Sequence, residues 1–362
     1  LVRVLHAFST FALGGPQARF LKLVEALGPQ VEHHVLAMDG NTSAIGNAVN
    51  PEAIQLVNMP IARGRNFDNV PRLMGLAKRL KPDAIVSYNF GAFEWTLANA
   101  LMRRHHIHLE EGFGPQETVQ RLPRRNLVRK WGLKLSPTRL AVISNTMATI
   151  ATQEWGVRPE RVLKLTNGVK VRREWPGLRA RPGLMGAEDQ LVVGTVAALR
   201  AEKRIDRLID AVASLHRQGM ALQLLIAGSG PEESALRQQV AALGLERRVA
   251  FLGHLSDPGV LYSQIDLFAL SSDTEQVPMA VLEAMAAGLP VAATRVGDLP
   301  EILPSESAAW LTALDAEALG QAIARFNAAG LRERVGRANH AQVMARFSEQ
   351  AMLASWRGAL GA

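Results

Sequence analysis

Two glutamates eight positions apart, Glu275 and Glu283, frame the part of this chain richest in chemistry. They lie in Ser271-Ser272-Asp273-Thr274-Glu275-Gln276-Val277-Pro278-Met279-Ala280-Val281-Leu282-Glu283-Ala284-Met285-Ala286-Ala287-Gly288-Leu289-Pro290, which reads as strand end, loop, helix, glycine stop and next strand. Pro278 suits the first helical position, where its missing N–H costs nothing. The N–H groups after it direct about half a unit of positive charge at an anion such as a phosphate. Glu283 falls in a helix that is apolar almost all round, so burial is expected. A buried carboxylate costs several kcal/mol unless donors meet it. The hydroxyls of a ribose would serve, and so would a partner elsewhere in the fold.

A second group of candidates sits in the first half. Phe11-Ala12-Leu13-Gly14-Gly15-Pro16-Gln17 follows a strand and opens a helix, and its two glycines let backbone approach a ligand closely. In His106-Ile107-His108-Leu109-Glu110-Glu111-Gly112-Phe113-Gly114-Pro115, strand alternation puts His108 and Glu110 on one face, with Glu111 in the loop beyond. A half-exposed sheet edge is the plainer reading of the same pattern. From 121 to 139, Arg121, Arg124, Arg125, Arg129, Lys130, Lys134 and Arg139 interleave with Leu122, Leu127, Val128, Trp131, Leu133 and Leu135. A basic amphipathic helix of this kind suits an anionic membrane surface or a solvated helix face equally well.

The elements that must position these groups alternate. Strands are expected at 2–7, 34–38, 84–87, 107–110, 140–143 and 162–165, and helices at 17–27, 93–102 and 147–155. Between Asn167 and Asp189 the pattern dissolves into Gly168, Pro176, Gly177, Pro182, Gly183 and Gly186, and the domain boundary is expected there. A second series follows: strands 191–196, 222–227, 249–252, 267–270 and 291–293, with helices 205–218, 233–243 and 279–287. Each series predicts a doubly wound parallel sheet, whose ligands bind beyond the carboxyl ends of the strands.

Composition narrows the chemistry. A chain of 362 residues suits two domains and has no apolar run approaching the ~20 residues of a membrane span. It contains no cysteine, which excludes disulfides and thiolate chemistry, and its nine histidines show no H-E-x-x-H spacing. No G-x-G-x-x-G opens a βαβ unit, which disfavours a nicotinamide dehydrogenase. The net charge of +8 is unevenly placed: residues 1–170 hold 22 Lys and Arg against 12 Asp and Glu, and the remainder 19 against 21. That asymmetry favours an anionic membrane surface, nucleic acid or a phosphorylated acceptor. Nucleic acid is not expected as a partner, because the basic half carries no recognised binding motif. No charged leader followed by an apolar segment opens the sequence, so the cytoplasm is the default expectation, with a peripheral position at the inner membrane face if the basic segment docks there.

The Glu275–Glu283 segment, with Ser271-Ser272 before it and Glu283-Ala284-Met285-Ala286-Ala287-Gly288-Leu289-Pro290-Val291 closing it, resembles the E-x7-E motif of retaining GT-B glycosyltransferases of family four (group 1). Asn167-Gly168-Val169, Gly228-Ser229-Gly230-Pro231-Glu232 and Val249-Ala250-Phe251-Leu252-Gly253 resemble further motifs of that family, and Asp257 and Asp266 stand where it often has aspartates, so the likeness spans almost the whole chain. It implies an α/β GT-B fold of two doubly wound Rossmann-like domains facing a central cleft. Residues 1–170 would bind the acceptor, with a helix at about 347–362 packing back on them, and 171–346 would bind the nucleotide sugar.

By the same resemblance, Glu275 would contact the donor sugar and Glu283 the ribose hydroxyls, while Gln276, Val277, Pro278, Met279 and Ala280 would hold phosphate and sugar. Gly14 and Gly15 would lie at the donor phosphate and acceptor, and Gly228, Leu252 and Gly253 around the nucleotide. Leu199-Arg200-Ala201-Glu202-Lys203 resembles the loop whose Arg and Lys clamp the pyrophosphate, where cations offset the charge of the leaving group. The family's usual arginine is Ala198 here; either Arg200 replaces it or the clamp rests on Lys203. Lys170 stands where an aspartate is common. At the reacting face a family histidine is replaced by the Glu110-Glu111 pair near His108.

The implied reaction moves a sugar from a nucleoside diphosphate, with UDP as first expectation, to a glycan or lipid-linked hydroxyl acceptor with retention, needing neither metal nor cofactor. Bacterial cell-surface polysaccharide, lipopolysaccharide or glycolipid synthesis is the expected setting. A sugar-nucleotide epimerase and a catalytically degenerate scaffold stand as alternatives.

Overall fold

The computed structural model describes residues 1–59, 61, 66–113, 122–171 and 190–361. Gly114, Pro115, Arg121 and the Pro- and Gly-rich stretch from Pro176 to Gly186 lie outside the described residues. The chain divides into two compact units, Leu1–Asn167 together with Gln350–Ala362, and Gly168–Glu349.

The first unit contains β1 (Val2–Phe8), α1 (Gly15–Leu27), β2 (Val31–Ala37), β3 (Ile54–Val57), α2 (Asn66–Leu80), β4 (Ala84–Tyr88), α3 (Glu94–Met102), β5 (His106–Glu110), α4 (Pro123–Leu135), β6 (Arg139–Val142), α5 (Asn145–Gln153) and β7 (Val162–Lys164). Its seven strands run in the order β3-β2-β1-β4-β5-β6-β7. The pairings are parallel throughout, as in Val4 against His33 and Ala84. Helices cover both faces, as strands buried on both sides require. Leu5, Leu36 and Ile85 pack with Leu73, Leu76 and Trp95, while Leu140 and Val142 pack with Phe93, Leu133, Met147 and Trp155. Strand order reverses between β1 and β4, so the crevice beyond their carboxyl ends is the switch point where a doubly wound sheet takes its ligand.

The second unit contains β8 (Leu191–Val196), α6 (Ile205–Arg217), β9 (Leu222–Ala227), α7 (Glu233–Ala242), β10 (Val249–Gly253), α8 (Gly259–Tyr262), β11 (Leu267–Leu270), α9 (Met279–Ala286), β12 (Val291–Thr294), α10 (Leu299–Ile302), α11 (Ser305–Ala308), β13 (Leu311–Thr312), α12 (Ala316–Arg325) and α13 (Ala329–Arg346). A final helix, α14 (Glu349–Leu360), groups with the first unit from Gln350 onward. The second sheet is again parallel, in the order β10-β9-β8-β11-β12-β13, with its switch point between β8 and β11. In α6 the residues Ile205, Leu208, Ile209, Val212 and Leu215 recur at helical spacing. They bury against Leu191, Val193, Leu224 and Ile226 of the sheet, each contributing roughly 1.5–3 kcal/mol.

The two doubly wound parallel sheets are those of the expected GT-B architecture. Three expectations are corrected in detail. Pro278 is the N-cap of α9 in extended backbone (φ −68°, ψ 115°), one position before the first helical residue. Strand β5 lies inside its sheet between β4 and β6 and is buried along its length, so it is no half-exposed edge. Glu283 is half-buried, on the side of α9 where Met279, Ala280 and Ala286 are also only partly covered.

Candidate active site

In the second unit, the loop after β8 and the loop after β11 leave adjacent strands at the switch point and are tied together. Asp273 N–H donates to the Glu202 carbonyl at 2.9 Å, and Ser271 Oγ donates to the Lys203 carbonyl at 2.9 Å. Arg207, buried on α6, donates to the Ser271 carbonyl at 2.7 Å and to Asp273 Oδ1 at 2.6 Å. Arg204 bonds Asp206 at 2.9 Å and Asp273 at 3.3 Å; the Asp206 bond chiefly holds its guanidinium above the usual range. On the Asp206 side burial opposes ionisation, yet the Arg204 bond and charge outweigh it and lower the carboxyl.

This scaffold sets Lys203 Nζ 2.6 Å from Glu275 Oε1, and Ser272 Oγ donates to the same oxygen at 2.7 Å. The cation and hydroxyl fix one carboxylate oxygen in a mostly buried position, with 11% of the Glu275 side chain exposed. Gly297 supports Glu275 from behind: its φ is +52°, and a Cβ there would stand 2.2 Å from the Glu275 carbonyl oxygen. Asp298 N–H donates to the Gln276 carbonyl at 3.1 Å. Val277 and Pro278 are buried, Met279 and Ala280 partly so, and Pro278 gives α9 no side-chain cap, leaving the helix end's positive charge for an anion. One turn on, Tyr262 Oη donates to Glu283 Oε2 at 3.1 Å. Burial, then the neighbouring Glu283, pushes the Tyr262 phenol well above its ordinary value, so it remains a donor.

Gly228 stands at the turn after β9. Its φ is +136°, and a Cβ would come 1.8 Å from the Ala197 carbonyl oxygen, so only glycine permits the β9 turn to lie against the loop leaving β8. Its N–H donates to the Gly253 carbonyl at 2.7 Å, joining it to the end of β10, where a bulge leaves Leu252 exposed. Arg200 is not brought to Glu275. It is 52% exposed and pairs with Glu202 at 3.0 Å. Asp266 accepts from Val192 N–H at 2.8 Å, and Asp257 from Gly259 N–H at 2.8 Å, so both aspartates serve the backbone.

In the first unit, Gly14 and Gly15 are exposed at the start of α1. The three candidates on and after β5 separate. Glu110 and His108 are fully buried: Arg129 Nε donates to Glu110 Oε1 at 2.8 Å, and His108 Nε2 lies 3.5 Å from the same oxygen. Burial opposes ionisation of Glu110, but the His108 bond and the Arg129 charge outweigh it and lower its carboxyl. Behind them a buried chain continues from His108 Nδ1 to Ser87 Oγ and on to His106 Nε2, each step 2.8 Å. Glu111 instead lines a cavity of about 380 Å³ with Ser9, Arg19, Asn89, Phe90 and Arg129. It receives Arg19 through a fork at 2.9 and 2.7 Å, and its N–H donates to Asn89 Oδ1 at 2.9 Å. Asn89 holds this position in the left-handed region (φ +56°), a strained conformation of the kind found at ligand sites.

Sequence reasoning missed Tyr262, Gly297 and Asn89. Tyr262 lies 21 positions before Glu283 on a one-turn helix, a separation that no periodicity links. Among the described residues, no group of three or more His, Asp or Glu is gathered to hold a metal ion.

Two family models meet on this chain: Glycosyltransferase Family 4 matches residues 13–173, and Glycosyl transferases group 1 matches 181–342. The chain is 33% identical over 143 residues to the N-acetyl-α-D-glucosaminyl L-malate synthase of Bacillus anthracis, a match covering 40% of this chain and 37% of that protein. It is 32% identical over 184 residues to the putative colanic acid biosynthesis glycosyltransferase WcaL of Escherichia coli K12, covering 48% and 44%. The matches thus span less than half the length of these two relatives. Among solved structures, Anabaena Alr3699/HepE in complex with UDP and glucose superposes with a TM-score of 0.80 at 20% identity, covering 100% of both chains. With family models matching both halves in order, and the fold agreeing from end to end, the chain belongs to the group 1 glycosyltransferases of family 4.

Proposed function

We propose that this chain transfers a glycosyl unit from a nucleoside diphosphate sugar to a hydroxyl acceptor, with retention of anomeric configuration and without a metal ion. The observation that carries the reading is the Lys203–Glu275–Ser272 cluster beyond the carboxyl ends of β8 and β11, beside the uncapped start of α9. In this reading the α9 terminus and Lys203 take the diphosphate, Glu275 takes the sugar, and Glu283, oriented by Tyr262, takes the ribose. The departing phosphate receives the acceptor proton on the same face of the sugar, so the protein's part is positioning and charge stabilisation.

UDP is the proposed nucleotide, supported by the UDP and glucose held in the Anabaena structure. One relative is named for colanic acid biosynthesis and another for an L-malate glycoside. The first supports a glycan or lipid-linked acceptor in bacterial cell-surface polysaccharide, lipopolysaccharide or glycolipid synthesis, and the second supports a hydroxyl acceptor in general. Glu275→Ala tests the reading: sugar-nucleotide turnover should fall at least ~10²-fold, the scale of losing a directed charge contact, with the melting curve retained. Unchanged turnover would overturn the assignment. Arg200 resting on Glu202, with Ala198 in the usual arginine position, favours one rival, a binding scaffold. UDP binding with no turnover of any sugar nucleotide would select it.

No helix among the described residues is long and apolar enough to cross a membrane. Helix α4 nevertheless exposes Leu127, Val128, Trp131 and Leu135 beside Arg124, Lys130 and Lys134, with Lys134 Nζ 5.0 Å from the Trp131 ring. That row supports peripheral docking on anionic lipid at the inner face of the cytoplasmic membrane. Trp131→Glu should release the protein from phosphatidylglycerol vesicles in co-sedimentation, and retention equal to the parent would remove this part of the reading.

A further inference from the structure

Arg19 and Glu111 lie 92 positions apart, on α1 and on the loop after β5, and meet fork to fork. Arg19 Nε donates to Oε1 at 2.9 Å and Nη2 reaches Oε2 at 2.7 Å, so one planar group covers both oxygens of the other. Only 19% of the arginine side chain and 6% of the glutamate side chain are exposed. The same guanidinium runs beside the glycine pair that opens α1, since a Cβ on Gly15 would stand 3.7 Å from Arg19 Nη1. That loop is itself anchored, with Gln17 Nε2 donating to the Thr10 carbonyl at 2.8 Å. Glu111 is tied in turn through its backbone N–H to Asn89, at the end of the neighbouring strand. Arg19 and Glu111 both line the 380 Å³ cavity, and both line a smaller one of about 20 Å³ among Phe20, Leu109 and Trp356. The ion pair is therefore a wall that the two cavities share.

This geometry does more than neutralise a charge. A lysine would balance Glu111 as a point charge and leave the carboxylate free to turn, whereas the arginine fork fixes its plane. Each carboxylate oxygen carries two lone pairs and the fork takes one from each, so the fixed group can still accept a hydrogen bond from a hydroxyl. A hydroxyl held by an oriented carboxylate is itself oriented, and orientation is the main source of rate where the protein's part is positioning. We propose that Arg19 is a positioning residue of the acceptor site: its fork fixes the Glu111 carboxylate, which accepts a hydrogen bond from the attacking hydroxyl. The inference rests on the transfer reading, which supplies the acceptor.

The test uses the full chain and a panel of UDP-, ADP- and GDP-sugars, with water as the common hydroxyl acceptor and released nucleoside diphosphate as the signal. On the sugar nucleotide that the parent turns over fastest, Arg19→Gln should lower kcat ~10–100-fold, the scale of a misplaced reacting group, with KM within twofold of the parent. Arg19→Lys, which restores the charge without the fork, should recover only part of that loss. Because Arg19 acts through Glu111, the double variant Arg19→Gln with Glu111→Gln should be no slower than Glu111→Gln alone. A merely structural ion pair would lower the melting temperature and leave kcat per folded molecule unchanged. Parental kcat in Arg19→Gln, full recovery in Arg19→Lys, or losses that multiply in the double variant each overturn the proposal. Should Arg19→Gln fail to fold, Arg19→Lys and its double with Glu111→Gln carry the same comparison. A parent inert toward the whole panel overturns the transfer reading and this role with it, whereas an active parent matched by the Arg19 variants overturns this role alone.

Discussion

At the scale of single residues, the two glutamates that stand out in the sequence occupy different surroundings. Glu275 shares one oxygen between a lysine and a serine, while Glu283 is held by a phenol. Removing the phenol should therefore affect nucleotide binding selectively. Tyr262→Phe is expected to weaken UDP about fivefold by isothermal titration, equivalent to one hydrogen bond of ~1 kcal/mol, with the melting temperature nearly unchanged. No change in UDP affinity would mean that Glu283 needs no orientation. The glutamates were legible because a helix and its flanking turns are local patterns. Their pairings with Lys203, 72 positions away, and Tyr262, 21 positions away, were not, since only the strand order closes those distances. His108 and Glu110 show the opposite failure. Alternation put them correctly on one face of β5, but it carries no information on what covers that face, and Arg129 seals it.

At the scale of elements, nearly every strand of both sheets could be read from its apolar run, with ends shifting by a few residues where a strand begins in polar sequence such as Val31-Glu32-His33. Strand β3 escaped because it is a short, half-exposed edge, and α2 because Pro71 interrupts its helical pattern. The turn after β9 was readable only as a turn. Its significance comes from the backbone it touches, which makes it sensitive to one methyl group. Gly228→Ala must either adopt a φ foreign to alanine or displace the Ala197 carbonyl, and a loss of several kcal/mol is expected. A fall in denaturation midpoint together with loss of UDP binding would bear this out; a variant that binds UDP as tightly as the parent would show that the β8 loop yields freely.

At the scale of the whole molecule, protons are the first concern. His6 and His33 share a buried hydrogen bond of 3.0 Å, and His106 lies in the buried chain behind Glu110. Burial, reinforced by neighbouring histidines, lowers all three, His33 to about 4. They stay neutral when folded, whereas an unfolded histidine takes up a proton below about 6.5, so the unfolded chain binds more protons and stability must fall as pH drops from 6.5 toward 4. Melting temperatures across that range should decline, and His33→Gln should flatten the decline by up to ~1.4 kcal/mol per pH unit. A parent curve flat to pH 4 would contradict it. The second concern is order of completion. Residues 350–361 belong to the first unit, yet the entire second unit precedes them in the chain. On the ribosome, the unit that begins first is therefore the last to be finished: 168–349 can close while the earlier sheet still waits for Met352 and Trp356 to fill its side. Until residues 350–361 have been made, the first unit lacks Met352 and Trp356, and a premature stop near Glu349 would harm the amino-terminal half more than the half in which it falls.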